Sequence, residues 1–228
     1  MTFNLDIIRH DTPACDEVLH FNNAGASLMP RPVYDAMQRY LALEQSIGGY
    51  EAAAQSVDAI NRFYTAFATL LNAHPDEIAF VESATRAWDM AVYSIPFQRG
   101  DRVLVHATEY SSNYLALLQL SQRHGIIIDQ VPSDPDGQID CSALETLITD
   151  QTKAVFLTHA PSHSGLINPA EAVGAITRRH GLIYVLDACQ SLGQMPVDVQ
   201  AIGCDILCGT GRKFLRGPRG TGALFVSR

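Results

Sequence analysis

From residue 78 onward the chain alternates short apolar runs with helical patterns, and that alternation leaves few folds open. The runs are IAFV (78–81), RVLVH (102–106), IIIDQV (126–131), AVFLTH (154–159), LIYVLD (182–187), DILCG (205–209) and GALFVS (222–227). Helical patterns fill most of the intervals, near 85–95, 112–124, 141–149 and 169–180. Short runs of this kind read as buried strands, and the stretches between them as crossover helices. Helices then cover both faces of a sheet whose strands need apolar residues on each side. The expected fold is therefore α/β, with about seven strands in one mostly parallel sheet sandwiched by helices. Ahead of it, FNNAGASLMP (21–30) reads as a turn-rich loop, and Pro30 and Pro32 lead into the helical pattern VYDAMQRYLALEQS. A second helical pattern, 51–72, puts Ile60, Phe63, Tyr64, Phe67 and Leu71 on one face.

Composition closes off several classes of function. A chain of 228 residues with 47% hydrophobic and 18% charged residues can bury one sizeable core and is not disordered. The formal charge of −8, with no extended basic face, argues against a nucleic-acid partner. No run approaches the roughly 18 apolar residues of a membrane span, and the first twenty residues lack a signal-peptide pattern. The five cysteines form no CxxC pair and read as buried thiols in a reducing cytoplasm. His159 and His163 lie four apart, but Pro161 breaks any helix between them, so no metal site is expected.

One stretch departs from this acidic background. Residues 209–222 read GTGRKFLRGPRGTG and hold Arg212, Lys213, Arg216 and Arg219 with no acid, and Lys213 is one of two lysines against fourteen arginines. The stretch lacks the GxxxxGK[ST] order of a phosphate loop, and Phe214 stands where a dinucleotide fingerprint needs its third glycine. A solvated basic patch is one reading. The other starts from chemistry: an amine can lose its proton and attack a carbonyl carbon, whereas a guanidinium stays protonated. Asp187 ends the hydrophobic run LIYVLD, where a carboxylate needs a cationic partner or local hydrogen bonds. A pyridinium nitrogen is such a partner, and a lysine paired with an aspartate is the working core of pyridoxal 5'-phosphate (PLP) sites. In parallel sheets, ligands bind beyond the carboxyl ends of the strands, where Ser83-Ala84-Thr85, Glu109-Tyr110, Ser162-His163, Gln190 and Thr210 also fall. Ser83, Ala84 and Thr85 open a helix and suit an anion, and Thr210 and Arg212 offer further phosphate contacts.

The run VLDACQSLGQMPVDVQAIGCDILCGTGRKFLRGPRGTGALFV resembles the cofactor segment of the class V aminotransferase superfamily, within the fold-type I PLP enzymes. FNNAGASLMP, GDRVLVHATEYSSN and THAPSHSGLINP resemble further blocks of that superfamily, in order and over almost the whole chain. The superfamily groups cysteine desulfurases, selenocysteine lyases, isopenicillin-N-epimerase-like proteins and the C–S lyase of ergothioneine biosynthesis. The resemblance implies that Lys213 forms the Schiff base, Asp187 pairs with the pyridine nitrogen and Gln190 lies near the phenolic oxygen. It puts Ala84 and Thr85 in the phosphate cradle and Ser162 near the phenolic oxygen. It puts Tyr110 where desulfurases stack a histidine on the ring, and a phenol is not the same acid or base near neutral pH. Arg212 replaces a histidine that usually precedes the lysine. The implied activity is on an amino acid as small-molecule substrate, with C–S or C–Se cleavage of desulfurase type ahead of epimerase-like or aminotransferase chemistry. A catalytically idle PLP-binding fragment is the further alternative. The implied organisation is an N-terminal segment, 1–30, contributing to the active site of a homodimer, and a PLP-binding large domain, 31–228. The superfamily's C-terminal small domain is expected to be missing from this chain.

Overall fold

A computed structural model describes residues 4–228. The chain runs through α1 (Leu5–His10), α2 (Ala14–Glu17), α3 (Arg31–Ile47), α4 (Gly49–Gln55) and α5 (Val57–Leu71) before its first strand. It then alternates: β1 (Ile78–Val81), α6 (Ala84–Ser94), β2 (Arg102–His106), α7 (Ser111–His124), β3 (Ile127–Val131), α8 (Cys141–Leu147), β4 (Thr152–Thr158), α9 (Ala170–His180) and β5 (Ile183–Asp187). The last elements are α10 (Val199–Ile202), β6 (Ile206–Thr210) and β7 (Gly222–Val226). The seven strands make one sheet in the order β1-β7-β6-β5-β4-β2-β3. Strands β6, β5, β4, β2 and β3 are mutually parallel, and β7 is antiparallel to both β6 and β1. Residues 211–221 carry no helix between β6 and β7, so the chain turns back beside the strand it has just left.

Successive strand residues feed opposite cores, which is why these strands read as continuous apolar runs rather than as alternations. On one face Leu104, Leu157, Tyr184, Leu186 and Phe225 pack with Leu71, Leu144, Val173 and Ile176 of α5, α8 and α9. On the other, Val103, Val105, Phe156, Val185 and Cys208 pack with Trp88, Val92, Leu117 and Leu120 of α6 and α7. Trp88 meets Phe156 with ring centroids 5.5 Å apart. Helix α9 lies so close to α10 that a Cβ on Gly174 would sit 1.7 Å from the Ile202 carbonyl oxygen.

Three expectations need correcting. The helical pattern 51–72 is two helices that break at Ser56, and Ile60 on its supposed inner face is exposed. Phe63 and Phe67 are only partly buried, and Phe63 packs on Phe80 of β1 at 5.2 Å. Cys15 is exposed and Cys141 half-buried, so the thiols are not uniformly internal, although all five are free. Two short N-terminal helices and α10 also carry no clear period in so few residues. Among the described residues no helix is long and apolar enough to cross a membrane.

Candidate active site

The carboxyl ends of the parallel strands surround a cavity of about 230 Å³. Its walls include Glu109, Tyr110, Thr158, Ser162, His163, Asp187, Cys189, Gln190 and Lys213. Lys213 lies three residues beyond β6, 6% exposed, and its side chain has no hydrogen-bond or ion-pair partner among the described residues. Its Nζ sits 5.7 Å from the ring centroid of Tyr110, which is the residue just before α7. A buried amine without a hydrogen-bond partner is costly to keep unless something in the cavity meets it.

Asp187 is held at the tip of β5 by its neighbours. Its Oδ1 accepts from the Cys189 backbone N–H at 2.8 Å, and its Oδ2 accepts from Asn113 Nδ2 at 2.8 Å. That amide also donates to Glu109 Oε1 at 2.8 Å. The same Glu109 oxygen accepts from Thr158 Oγ1 at 2.6 Å and from the Tyr110 N–H at 3.0 Å. Glu109 Oε2 and Gln190 Oε1 are both buried without a hydrogen-bond partner. Burial, and next the charge of Asp187, push the Glu109 carboxyl up to about 7, against the pull of its hydrogen bonds. Burial and then Asp187 also push the Cys189 thiol well up, which disfavours its thiolate.

The residues singled out in the sequence fall into two groups. Tyr110, Ser162, Asp187, Gln190 and Lys213 line the one cavity. Ser83, Ala84, Thr85, Thr210 and Arg212 do not line it. Ser83 caps α6, its Oγ accepting from the Arg86 N–H at 3.1 Å, with Ala84 and Thr85 in the first turn. This helix start abuts β7: a Cβ on Gly222 would lie 2.9 Å from Ser83 C and 3.2 Å from Ala84 N. Thr210 pairs with Gly222 across the sheet and is 5% exposed. Arg212 donates to the carbonyl oxygen of Gly25.

Arg212 makes one of several ties between the residues around the cavity and the N-terminal segment. The Ser27 N–H donates to the Arg212 carbonyl at 2.9 Å, and Gln190 Nε2 donates to the Ala24 carbonyl at 3.1 Å. Arg216, one of two non-glycine residues with positive φ (59°) among those described, donates to the Leu28 carbonyl at 3.1 Å and to Thr12 Oγ1 at 2.5 Å. Part of the basic knot in 209–222 thus fastens residues 12–28 beside the cavity. Sequence reasoning missed this and Asn113, and it placed Glu109 at a strand end without giving it a role. Their available signal was an acid three residues beyond an apolar strand, with an amide four residues on, one helical turn away.

A family model described as Aminotransferase class-V matches residues 19–228. A probable cysteine desulfurase of Pyrococcus abyssi is 30% identical over 226 residues, covering 97% of this chain and 56% of the relative. The chain thus spans little more than half the length of such relatives. The apo structure of a cysteine desulfurase from Thermococcus onnurineus superposes with a TM-score of 0.92 at 27% identity, over 100% of this chain and 58% of that one. A C-DES mutant with glycine covalently linked to its PLP cofactor shares the fold, at TM-score 0.90 and 23% identity, over 96% of this chain and 59% of that one. The family match over residues 19–228, on a seven-stranded sheet with Lys213 and Asp187 at its carboxyl edge, places the chain in the class-V aminotransferase family.

Proposed function

We propose that this chain forms the cofactor-binding part of a PLP-dependent enzyme that acts on an amino acid, with cleavage of a C–S or C–Se bond as its reaction. The observation that carries the reading is Lys213, a buried amine with no protein partner, facing a cavity that also holds Asp187 and an aromatic ring. The residues present fit PLP. Gln190 Oε1 is a buried acceptor without a donor, as a phenolic hydroxyl would require, and Asp187 keeps carboxylate lone pairs for a ring N–H. Serine and small residues at the start of α6, Ser83-Ala84-Thr85, would suit a phosphate, with Thr210 nearby on β6.

PLP, when bound, supplies an electron sink for bonds at the amino acid's α-carbon. The chain's residues do the rest. Lys213 Nζ would be the nucleophile toward the cofactor's aldehyde and, when free, the base for a proton at the substrate's α-carbon. Asp187, fixed by Asn113 and the Cys189 N–H, would hold a proton on the ring nitrogen. Tyr110 would offer the aromatic wall against the ring, and Ser162 and Gln190 polar contacts to its oxygen. Arg212 takes up phosphate contact only by leaving Gly25 or sharing its guanidinium with it. The N-terminal segment, 1–30, would contribute to the active site, a reading supported by the ties of residues 12–28 to Gln190, Arg212 and Arg216, and 31–228 would form the large domain. Exposed apolar side chains on α3 and α4, among them Tyr34, Leu41 and Tyr50, support a homodimer. A cytoplasmic setting agrees with five free thiols.

Tyr110 favours a second reading. A phenol where desulfurases carry an imidazole suits plain elimination, epimerisation or transamination better than sulfur transfer. Incubating the PLP-loaded protein with cysteine separates the readings: alanine with sulfane sulfur marks desulfuration, and pyruvate, ammonia and sulfide mark elimination. Racemised cysteine marks epimerisation. No product from cysteine, selenocysteine or cysteine sulfoxides overturns the C–S and C–Se proposal.

A further inference from the structure

Two carboxyl groups in this site are held by one amide. Asn113 is 3% exposed, and its Nδ2 gives one proton to Glu109 Oε1 and the other to Asp187 Oδ2, each at 2.8 Å. A buried carboxamide can flip, and the flipped state would turn its carbonyl oxygen toward two carboxyl acceptors. Both acceptors oppose the flip, and Glu109 is the one anchored from outside the Asp187 turn. Glu109 is itself fixed from two further elements, since its Oε1 accepts from Thr158 Oγ1 on β4 and from the Tyr110 N–H at the start of α7.

We propose that Glu109 is a positioning residue for Asp187, acting through Asn113, which it holds in the one orientation that presents an N–H to each carboxyl group. The contacts set a clear division of labour. Asp187 Oδ1 is fixed by a backbone donor two residues away, which any aspartate in this turn would keep. Its Oδ2 depends on a side chain 74 residues distant in sequence, and that side chain depends on Glu109. Glu109 Oε1 also ties Tyr110 to β4, so a single oxygen coordinates the ring above Lys213 and the carboxylate at the cavity floor. The role is one of acceptor geometry, and a neutral acceptor performs it.

The inference rests on the PLP reading of the cavity, and its test keeps the two apart. The dissociation constant for PLP is measured by fluorescence titration of the intact protein at pH 6. There a carboxyl pushed up to about 7 is mostly neutral and glutamine is its counterpart. Glu109→Ala and Asn113→Ala should each weaken PLP roughly ten-fold, because each leaves a buried partner unsatisfied. The double variant should be no weaker than Asn113→Ala alone, since the two lie on one route. Glu109→Gln should bind within about two-fold of wild type, because its carbonyl still accepts from Asn113, Thr158 and Tyr110. If Glu109→Ala does not fold, the near-isosteric Glu109→Met takes its place in both comparisons. Additive losses in the double variant, or a Gln variant as weak as the Ala variant, overturn the proposal. Wild type that takes up PLP beside an unaffected Glu109→Ala overturns this inference alone, whereas wild type that takes up none overturns the site reading as well.

Discussion

The Glu109 carboxyl makes stability depend on pH in a way that one substitution isolates. Its ordinary value is 4.5, and in the folded protein burial and Asp187 raise it to about 7. The native state therefore holds a proton that the unfolded state has released, and stability falls as pH rises between those values. The stabilisation is complete below pH 4.5 and lost once pH passes 7. The full span, at 1.36 kcal/mol per unit, is about 3 kcal/mol, of which about 2.5 kcal/mol lies between pH 5 and pH 8. Glu109→Gln has no proton to lose. Its amide takes the place of Oε2, which lacks a partner, at a cost of ~1–3 kcal/mol that does not vary with pH. The observable is thus the difference in unfolding free energy between variant and wild type, which cancels every titrating group not coupled to Glu109. Urea unfolding of the cofactor-free protein at pH 5, 6, 7 and 8 should show that difference moving in favour of Gln by about 2.5 kcal/mol. A difference flat to within about 0.5 kcal/mol would refute the reasoning, because Glu109 would then titrate alike in both states.

Two further substitutions probe how the site is mounted. Arg216→Ala removes donors to Leu28 and Thr12 and should cost roughly 2 kcal/mol, with faster proteolytic cleavage within residues 12–28. Unchanged cleavage would mean that the segment is held by other ties. Gly174→Ala puts a Cβ 1.7 Å from the Ile202 carbonyl, and neither backbone has room to yield without separating α9 from α10. A loss of at least ~3 kcal/mol in urea unfolding is expected, and a loss under 1 kcal/mol would show that these helices re-pack freely.

The inner strands were legible because burial on both faces leaves them continuous apolar runs, as in VLVH of β2 and YVLD of β5. The direction of β7 could have been read too, since 211–221 holds glycine, proline and arginine and no helical pattern. The break at Ser56 was hidden because apolar residues keep their helical spacing across it. Lys213 and Asp187 stood out by chemistry: a rare amine among guanidiniums and an acid at the end of a buried strand. Glu109 did not, because an acid in a loop is ordinarily solvated, and only the fold turns its carboxyl inward against Thr158 and Asn113. The ties from Arg212 and Arg216 to residues 12–28 join positions almost 190 or more apart, and no local pattern encodes such a meeting.

The central claim is that Lys213 is the amine that takes the cofactor's aldehyde. The chain contains one other lysine, Lys153, which is exposed on β4 away from the cavity, so the outcome is easily read. The protein is incubated with PLP, reduced with borohydride, digested and mapped by mass spectrometry. The account predicts a stable pyridoxyl-phosphate adduct on Lys213, lost in Lys213→Ala. An adduct confined to Lys153, or one that survives in Lys213→Ala with no change in yield, would contradict it.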